Sequence, residues 1–104
     1  MNAYHVYPLL NPGEDKSSSQ IPWLERFATF LQRADAETRW DFEGGEGVNP
    51  WAVCLFINGH SLEFVGYGTS KKEAKVNLIK QLQDSDVLTL PLRPEFQVRS
   101  YPRP

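Results

Sequence analysis

Asn58-Gly59 sits between two runs of strand-forming residues, 51–57 and 60–67, and no other feature restricts this chain's fold as tightly. An Asn-Gly connection supplies both positive-φ positions of a two-residue hairpin turn, whose twist matches that of the strands it joins. The two runs are therefore predicted to pair antiparallel. A two-residue turn sets Ile57 opposite His60, Leu55 opposite Leu62, Val53 opposite Phe64 and Trp51 opposite Gly66. Those residues share one nearly continuous apolar face, with room for the indole over Gly66. The other face carries Ala52, Cys54, Phe56, Ser61, Glu63 and Val65, less apolar but not cleanly polar.

Around the hairpin the chain reads as a small α+β domain. Leu24, Phe27, Ala28 and Leu31 recur at helical spacing, widened by Trp23 and Phe30, so residues 21–34 are predicted as an amphipathic helix. Pro22 falls in its first turn, where a missing N–H does no harm. Residues 38–43 alternate as a strand and residues 44–50 form a glycine-rich loop. Ala74, Leu78 and Leu82, with Ile79 beside them, make the stripe of a second helix over 71–83. A chain of 104 residues that is 40% hydrophobic and 12% aromatic has the material for one compact core.

That core is expected within residues 20–84. Residues 1–19, with Pro8, Pro12, Gly13 and a polar run over 14–19, read as a flexible leader. Tyr4, Val6, Tyr7, Leu9 and Leu10 give part of it a means of docking on the domain or on a partner. Residues 85–104 include four of the eight prolines and read as an extended tail.

Chemistry concentrates at residues 66–75, Gly-Tyr-Gly-Thr-Ser-Lys-Lys-Glu-Ala-Lys. Ser70 is placed as an N-cap, and Glu73, three residues on, completes a capping box. The helix start is thus well specified, yet it carries Lys71, Lys72 and Lys75 against the dipole, at about a few tenths of a kcal/mol each. Unpaired backbone N–H groups and ammoniums at one helix end suit a phosphate. Spacings of three and four residues let all three lysines reach one patch.

A helix, three antiparallel strands and a second helix, with Gly-x-Gly-x-Ser-Lys-Lys-x-Ala-Lys at the last strand–helix junction, resemble the double-stranded RNA-binding domain family. The resemblance covers about residues 21–83 and runs position for position over 66–75. It implies an α-β-β-β-α fold, with both helices on one face of a three-stranded antiparallel sheet. It also implies that Lys71, Lys72 and Lys75, beside Ser70, straddle the major groove of an A-form duplex and bind phosphates. The first helix and the first inter-strand loop would each enter a minor groove and read 2′-hydroxyls and shape. By residue type alone, Glu25, Thr29 and Gln32 are the helix candidates and Gly45, Glu46 and Gly47 the loop candidates.

The chain also departs from the family pattern. Gly44-Gly45-Glu46-Gly47 stands where RNA-binding members usually carry Gly-Pro-x-His. Residues 35–46 hold five acids against one arginine, a net −4 that weakens phosphate binding. Leu78-Ile79 replaces the usual pair of alanines, and bulkier residues there are expected to push the second helix outward or shift its tilt.

Composition narrows the function classes. A net charge of −2 and a pI of about 5.6 exclude a general polyanion binder, so a nucleic-acid surface must be a local patch. Cys54 stands alone and His5 and His60 lie far apart, which points away from disulfides and from zinc. No Ser/His/Asp set, Cys–His pair or carboxylate pair has placement support, so neither an enzyme nor a cofactor is implied. With no apolar run of the ~18 residues a membrane span needs, the chain reads as soluble and intracellular, cytoplasmic or nuclear.

Two readings follow. One is a non-catalytic double-stranded RNA-binding module of weak affinity. The other is a protein-interaction or dimerisation module on the same fold, using Phe56, Val65 and Cys54 on the outer sheet face, or pairing as a homodimer through the edge of the third strand.

Overall fold

The structure, a computed structural model, describes residues 4–47 and 50–97. In chain order its elements are β1 (His5–Val6), α1 (Trp23–Ala34), β2 (Thr38–Gly44), β3 (Trp51–Ile57), β4 (His60–Gly68), α2 (Lys71–Ser85), β5 (Thr89–Leu90) and α3 (Pro94–Gln97). β2, β3 and β4 form an antiparallel sheet in that order, and β1 pairs with β5 in a separate two-stranded ribbon. The chain is an α+β protein. No helix among the described residues is long and apolar enough to cross a membrane.

Trp40 lies opposite Leu55, and Phe42 opposite Val53, so these side chains share the sheet's inner face. α1 reaches that face through Phe27, which meets Trp40 edge-on at 5.9 Å. α2 crosses it over β4. Both helices therefore cover one face, around a core that includes Phe27, Phe30, Val53, Leu55, Leu78, Ile79 and Leu82.

The hairpin turns where Asn58-Gly59 predicts, with Ile57 opposite His60, but the expected register fails beyond it. Phe56 faces Ser61, and the next paired residues are Cys54 and Val65, so three residues of β4 oppose Leu55 alone. Glu63 carries the irregularity at φ 61°. As a result Val53 faces Gly66 and Trp51 faces Gly68. The two extra residues preserve which side chains face inward, and Leu62 stays buried.

The two glycines of β4 serve the helix, not the indole. A Cβ on Gly66 would fall 2.2 Å from the Ala74 carbonyl oxygen, and one on Gly68 2.5 Å from the Ala74 nitrogen. α2 thus rests directly on strand backbone. Leu78 and Ile79 are fully buried in that packing rather than holding the helix away. The residue that accommodates Trp51 is Gly44, where a Cβ would meet the ring at 3.3 Å.

The core also draws on residues outside 20–84, and the described parts of the leader and tail are packed. Leu9 is 2% exposed, and its N–H donates to Gln83 Oε1 at 2.7 Å. The Arg26 guanidinium holds the Glu14 carboxylate, with Nη2 2.7 Å from Oε2, and donates to the Leu9 carbonyl at 3.0 Å. The Tyr7 N–H donates to the Leu88 carbonyl at 2.7 Å. The tail departs from an extended course at α3, where Phe96 is buried. The buried Asn58 amide secures it, donating to the Phe96 carbonyl at 2.6 Å and accepting from the Glu37 N–H at 3.0 Å. Leu9, Leu88, Leu92 and Phe96, spaced between prolines, supply the apolar surface that offsets the ordering of both segments.

Candidate nucleic-acid interface

Ser70 enters α2 with an extended backbone, and its hydroxyl accepts from the Glu73 N–H at 3.1 Å. Glu73 completes the cap one residue further out than a capping box would. Its carboxylate accepts from the Thr69 N–H at 3.2 Å and the Thr69 hydroxyl at 2.9 Å. The cap consumes the Glu73 amide and leaves those of Lys71 and Lys72 outside the helix's own ladder.

The three lysines do not converge on one patch. The Lys71 ammonium lies 5.0 Å from the Trp51 ring centre and 5.4 Å from that of Phe42. Lys75 lies 5.0 Å from Trp40 and 5.7 Å from Phe42. Trp40, Phe42 and Trp51 form a half-buried aromatic row at the open side of the sheet's inner face. Lys72 projects from the other flank of α2. With Val76 and Lys80 it lines a cleft of about 470 Å³ whose far wall is Trp23, Glu25 and residues 18–20.

Of the helix candidates, only Glu25 stands near a lysine of the motif, across that cleft from Lys72. The Thr29 hydroxyl donates to the Glu25 carbonyl at 3.1 Å and faces the leader, in a hollow shared with Tyr7 and Arg26. Gln32 is exposed near the end of α1, where its carbonyl accepts from the Asp35 N–H at 3.3 Å. Gly45, Glu46 and Gly47 are exposed, and the Gly45 N–H donates to the Pro50 carbonyl at 2.6 Å. Their loop leaves β2 at Gly44, which is paired with Trp51 beneath Lys71. The acidic loop and the helix start therefore share one end of the molecule.

On the outer face Cys54, Val65, Ala52 and Tyr67 line a shallow depression of about 460 Å³, with Asp41 and Glu43 at its rim. Tyr67 is 56% exposed. Phe56 lies beneath the Arg39 guanidinium at 4.3 Å. The edge of β4 is partly occupied from within the chain. Gln81 donates to the Val65 carbonyl at 2.7 Å and Asn77 to the Tyr67 carbonyl at 2.6 Å.

Sequence reasoning missed the aromatic row, Lys80 and the two edge-capping amides. The row had a signal in the period-two spacing of Trp40 and Phe42, opposite Val53 and Leu55. The amides had none, since nothing in the spacing of Asn77 and Gln81 indicates a strand carbonyl beside them. Comparisons with protein-family models, curated proteins and solved structures return no match. Fold and site together define the class as a small α+β domain bearing a lysine–aromatic surface at a helix start.

Proposed function

We propose that this is a non-catalytic double-stranded RNA-binding module of the double-stranded RNA-binding domain type, reading A-form shape and phosphates with little sequence preference. The observation that carries the reading is the seating of Lys71, Lys72 and Lys75 on the Ser70-capped start of α2, a helix held against β4 through Gly66 and Gly68. Lys71 and Lys75 rest on aromatic rings in the free protein. A cation–π contact at an exposed site is worth about 0.5–1 kcal/mol, small enough for an ammonium to leave it for a phosphate. Duplex phosphates would then be held from both flanks of α2, while the rings keep the unbound lysines extended over the sheet. Glu25, Glu43 and Glu46 oppose a polyanion, so binding is weak and falls steeply with salt.

The alternative is a protein-interaction module on the same fold, favoured by the exposed Tyr67 beside Val65 and Cys54 on the outer sheet face. An NMR titration with a short RNA duplex at two salt concentrations separates the two. RNA binding shifts the Lys71, Lys72 and Lys75 amides, and less so at high salt. Unshifted amides at low salt would sink the RNA reading.

A further inference from the structure

The two edges of the main sheet are treated differently. At the ends of the β2–β3 ladder the Asn58 N–H donates to the Glu37 carbonyl at 2.8 Å and the Gly45 N–H to the Pro50 carbonyl at 2.6 Å. Ladder bonds alternate along an antiparallel strand with period two. The odd-numbered residues of β2 therefore bond to β3, while Thr38, Trp40, Phe42 and Gly44 turn their N–H and C=O groups to the open side. The same alternation, carried across β3, turns Val65 and Tyr67 to the open side of β4. There the Gln81 and Asn77 amides occupy both carbonyls. Among the described residues, none donates to or accepts from the open-side backbone of β2. Among the described residues, one edge is thus partly capped and the other is unpaired at all four open-side residues of its strand.

We infer that a second copy of this chain pairs antiparallel along the bare edge of β2, about a two-fold axis at Asp41. Full overlap of residues 38–44 with 44–38 sets Thr38 against Gly44 and Trp40 against Phe42, so that every open-side N–H and C=O finds a partner. On the inner face the half-buried Trp40 and Phe42 gain an aromatic neighbour from the second copy. On the outer face Arg39 of each copy meets Glu43 of the other. Asp41 meets its own image, and each Asp41 is flanked by the Arg39 that already contacts it at 3.2 Å. Apart from the Asp41 pair, whose like charges oppose each other and are offset by the flanking arginines, charge and apolar pattern along β2 are thus self-complementary. A lone exposed edge carrying half-buried aromatics is a liability unless it is paired. This inference does not depend on the RNA reading, and its test contains no RNA.

The test has two parts. Sedimentation of the native chain should show a monomer–dimer equilibrium with a dissociation constant of about 100 μM or tighter, as expected for one strand pair with aromatic contacts. For the register, Cys54→Ala is made first, because Cys54 faces Asp41 across the β2–β3 ladder and would otherwise capture a cysteine there. In that background Asp41→Cys brings two thiols together at the axis, where unbonded pairs have Cα atoms about 4.5 Å apart. Arg39→Cys leaves its thiols four residues apart, about 13 Å, too far for a disulfide. Mild oxidation should give at least about tenfold more covalent dimer from Asp41→Cys than from Arg39→Cys. A native chain that stays monomeric at several hundred micromolar would overturn the inference. So would equal cross-linking of the two variants, or a dimer that Asp41→Cys fails to trap.

Discussion

Gly66 passes so close beneath Ala74 that a Cβ on it would lie 2.2 Å from the Ala74 carbonyl oxygen, with the Leu78 nitrogen and Cβ at 2.8 Å. Two of those three atoms are backbone, so the clash cannot be relieved by rotating a side chain. The helix start that carries Lys71, Lys72 and Lys75 is therefore positioned by the absence of a side chain on β4. Gly66→Ala must lift or tilt α2, and overpacking of this kind costs about 1–3 kcal/mol or more. The expected loss lies at the upper end, with a fall in Tm of roughly 10 °C or more for a domain of this size. Gly45→Ala is the control. Its Cβ meets only the Pro50 carbonyl, at 3.6 Å, so its stability should stay within about 0.5 kcal/mol of the native chain. Thermal unfolding of the two variants side by side decides the point, and equal midpoints would refute this seating of α2.

The clasp between Glu14 and Arg26 predicts an acid-sensitive step. Charge-assisted hydrogen bonding from Arg26, with a smaller contribution from the Asn11 N–H, holds the Glu14 carboxyl down at about 2 from an ordinary 4.5. A carboxylate whose pKa is lower in the folded state stabilises that state above its unfolded pKa, and the contribution fades as the folded pKa is approached from above. Native protein should thus exceed Glu14→Gln in stability by a constant margin above about pH 5, and the margin should shrink towards zero near pH 2. Unfolding midpoints of both proteins across that range check it. A margin independent of pH would mean that the clasp does not form. The Leu9 amide should report the same transition, since Arg26 also holds the Leu9 carbonyl.

Local chemistry was legible in the sequence where a residue acts on its immediate neighbours, and lost where tertiary contact sets its role. Asn58 announced the turn, because a two-residue hairpin needs positive φ there. It did not announce that its amide would be buried between Glu37 and Phe96. Glu63 disrupts the register with a positive φ that glycine or asparagine would have signalled and glutamate does not. Gly66 and Gly68 were visible as special positions, but their reason lies in the close approach of α2 to β4, which no cross-strand pairing rule reports. Leu9 was legible as part of an apolar group able to dock the leader, but its burial in the core, and that of Phe96, are set by tertiary contacts that their proline-rich segments do not announce. The lysines were visible, and their aromatic seats were not. Trp40 and Phe42 carried the period of a strand's buried face, and nothing in that period says that a face stops short of full burial.

Lys71, Lys72 and Lys75 separate by two independent readouts. If each contacts a duplex phosphate, each Lys→Ala substitution should lower the slope of log affinity against log salt by about 0.7–0.9. Only Lys71→Ala and Lys75→Ala should also disturb the free protein, since their ammoniums lie over the Trp51 and Trp40 rings. Indole N–H resonances of the two tryptophans should move in those variants and hold still in Lys72→Ala. Native-like salt slopes in all three variants would remove the helix start from the interface, whatever the tryptophan signals do.

Asn77 and Gln81 make the sharpest contrast with the bare edge of β2, because they use side chains of α2 to close the edge of β4. Each amide–carbonyl bond at a partly wet position is worth about 0.5–1.5 kcal/mol, so Asn77→Ala and Gln81→Ala should each destabilise the chain by that order. The double variant exposes the Val65 and Tyr67 carbonyls together and creates a second open edge beside the exposed Tyr67. It should therefore associate more strongly than the native chain, through β4. Sedimentation would read the added association, and light scattering over hours would read its growth beyond a dimer, since two open edges on one sheet allow an unending chain of copies. Cross-linking at Asp41→Cys would not account for the excess, because that position reports on β2 alone. A double variant that is as stable as the native chain and no more associated would show that the two amides do not guard the edge.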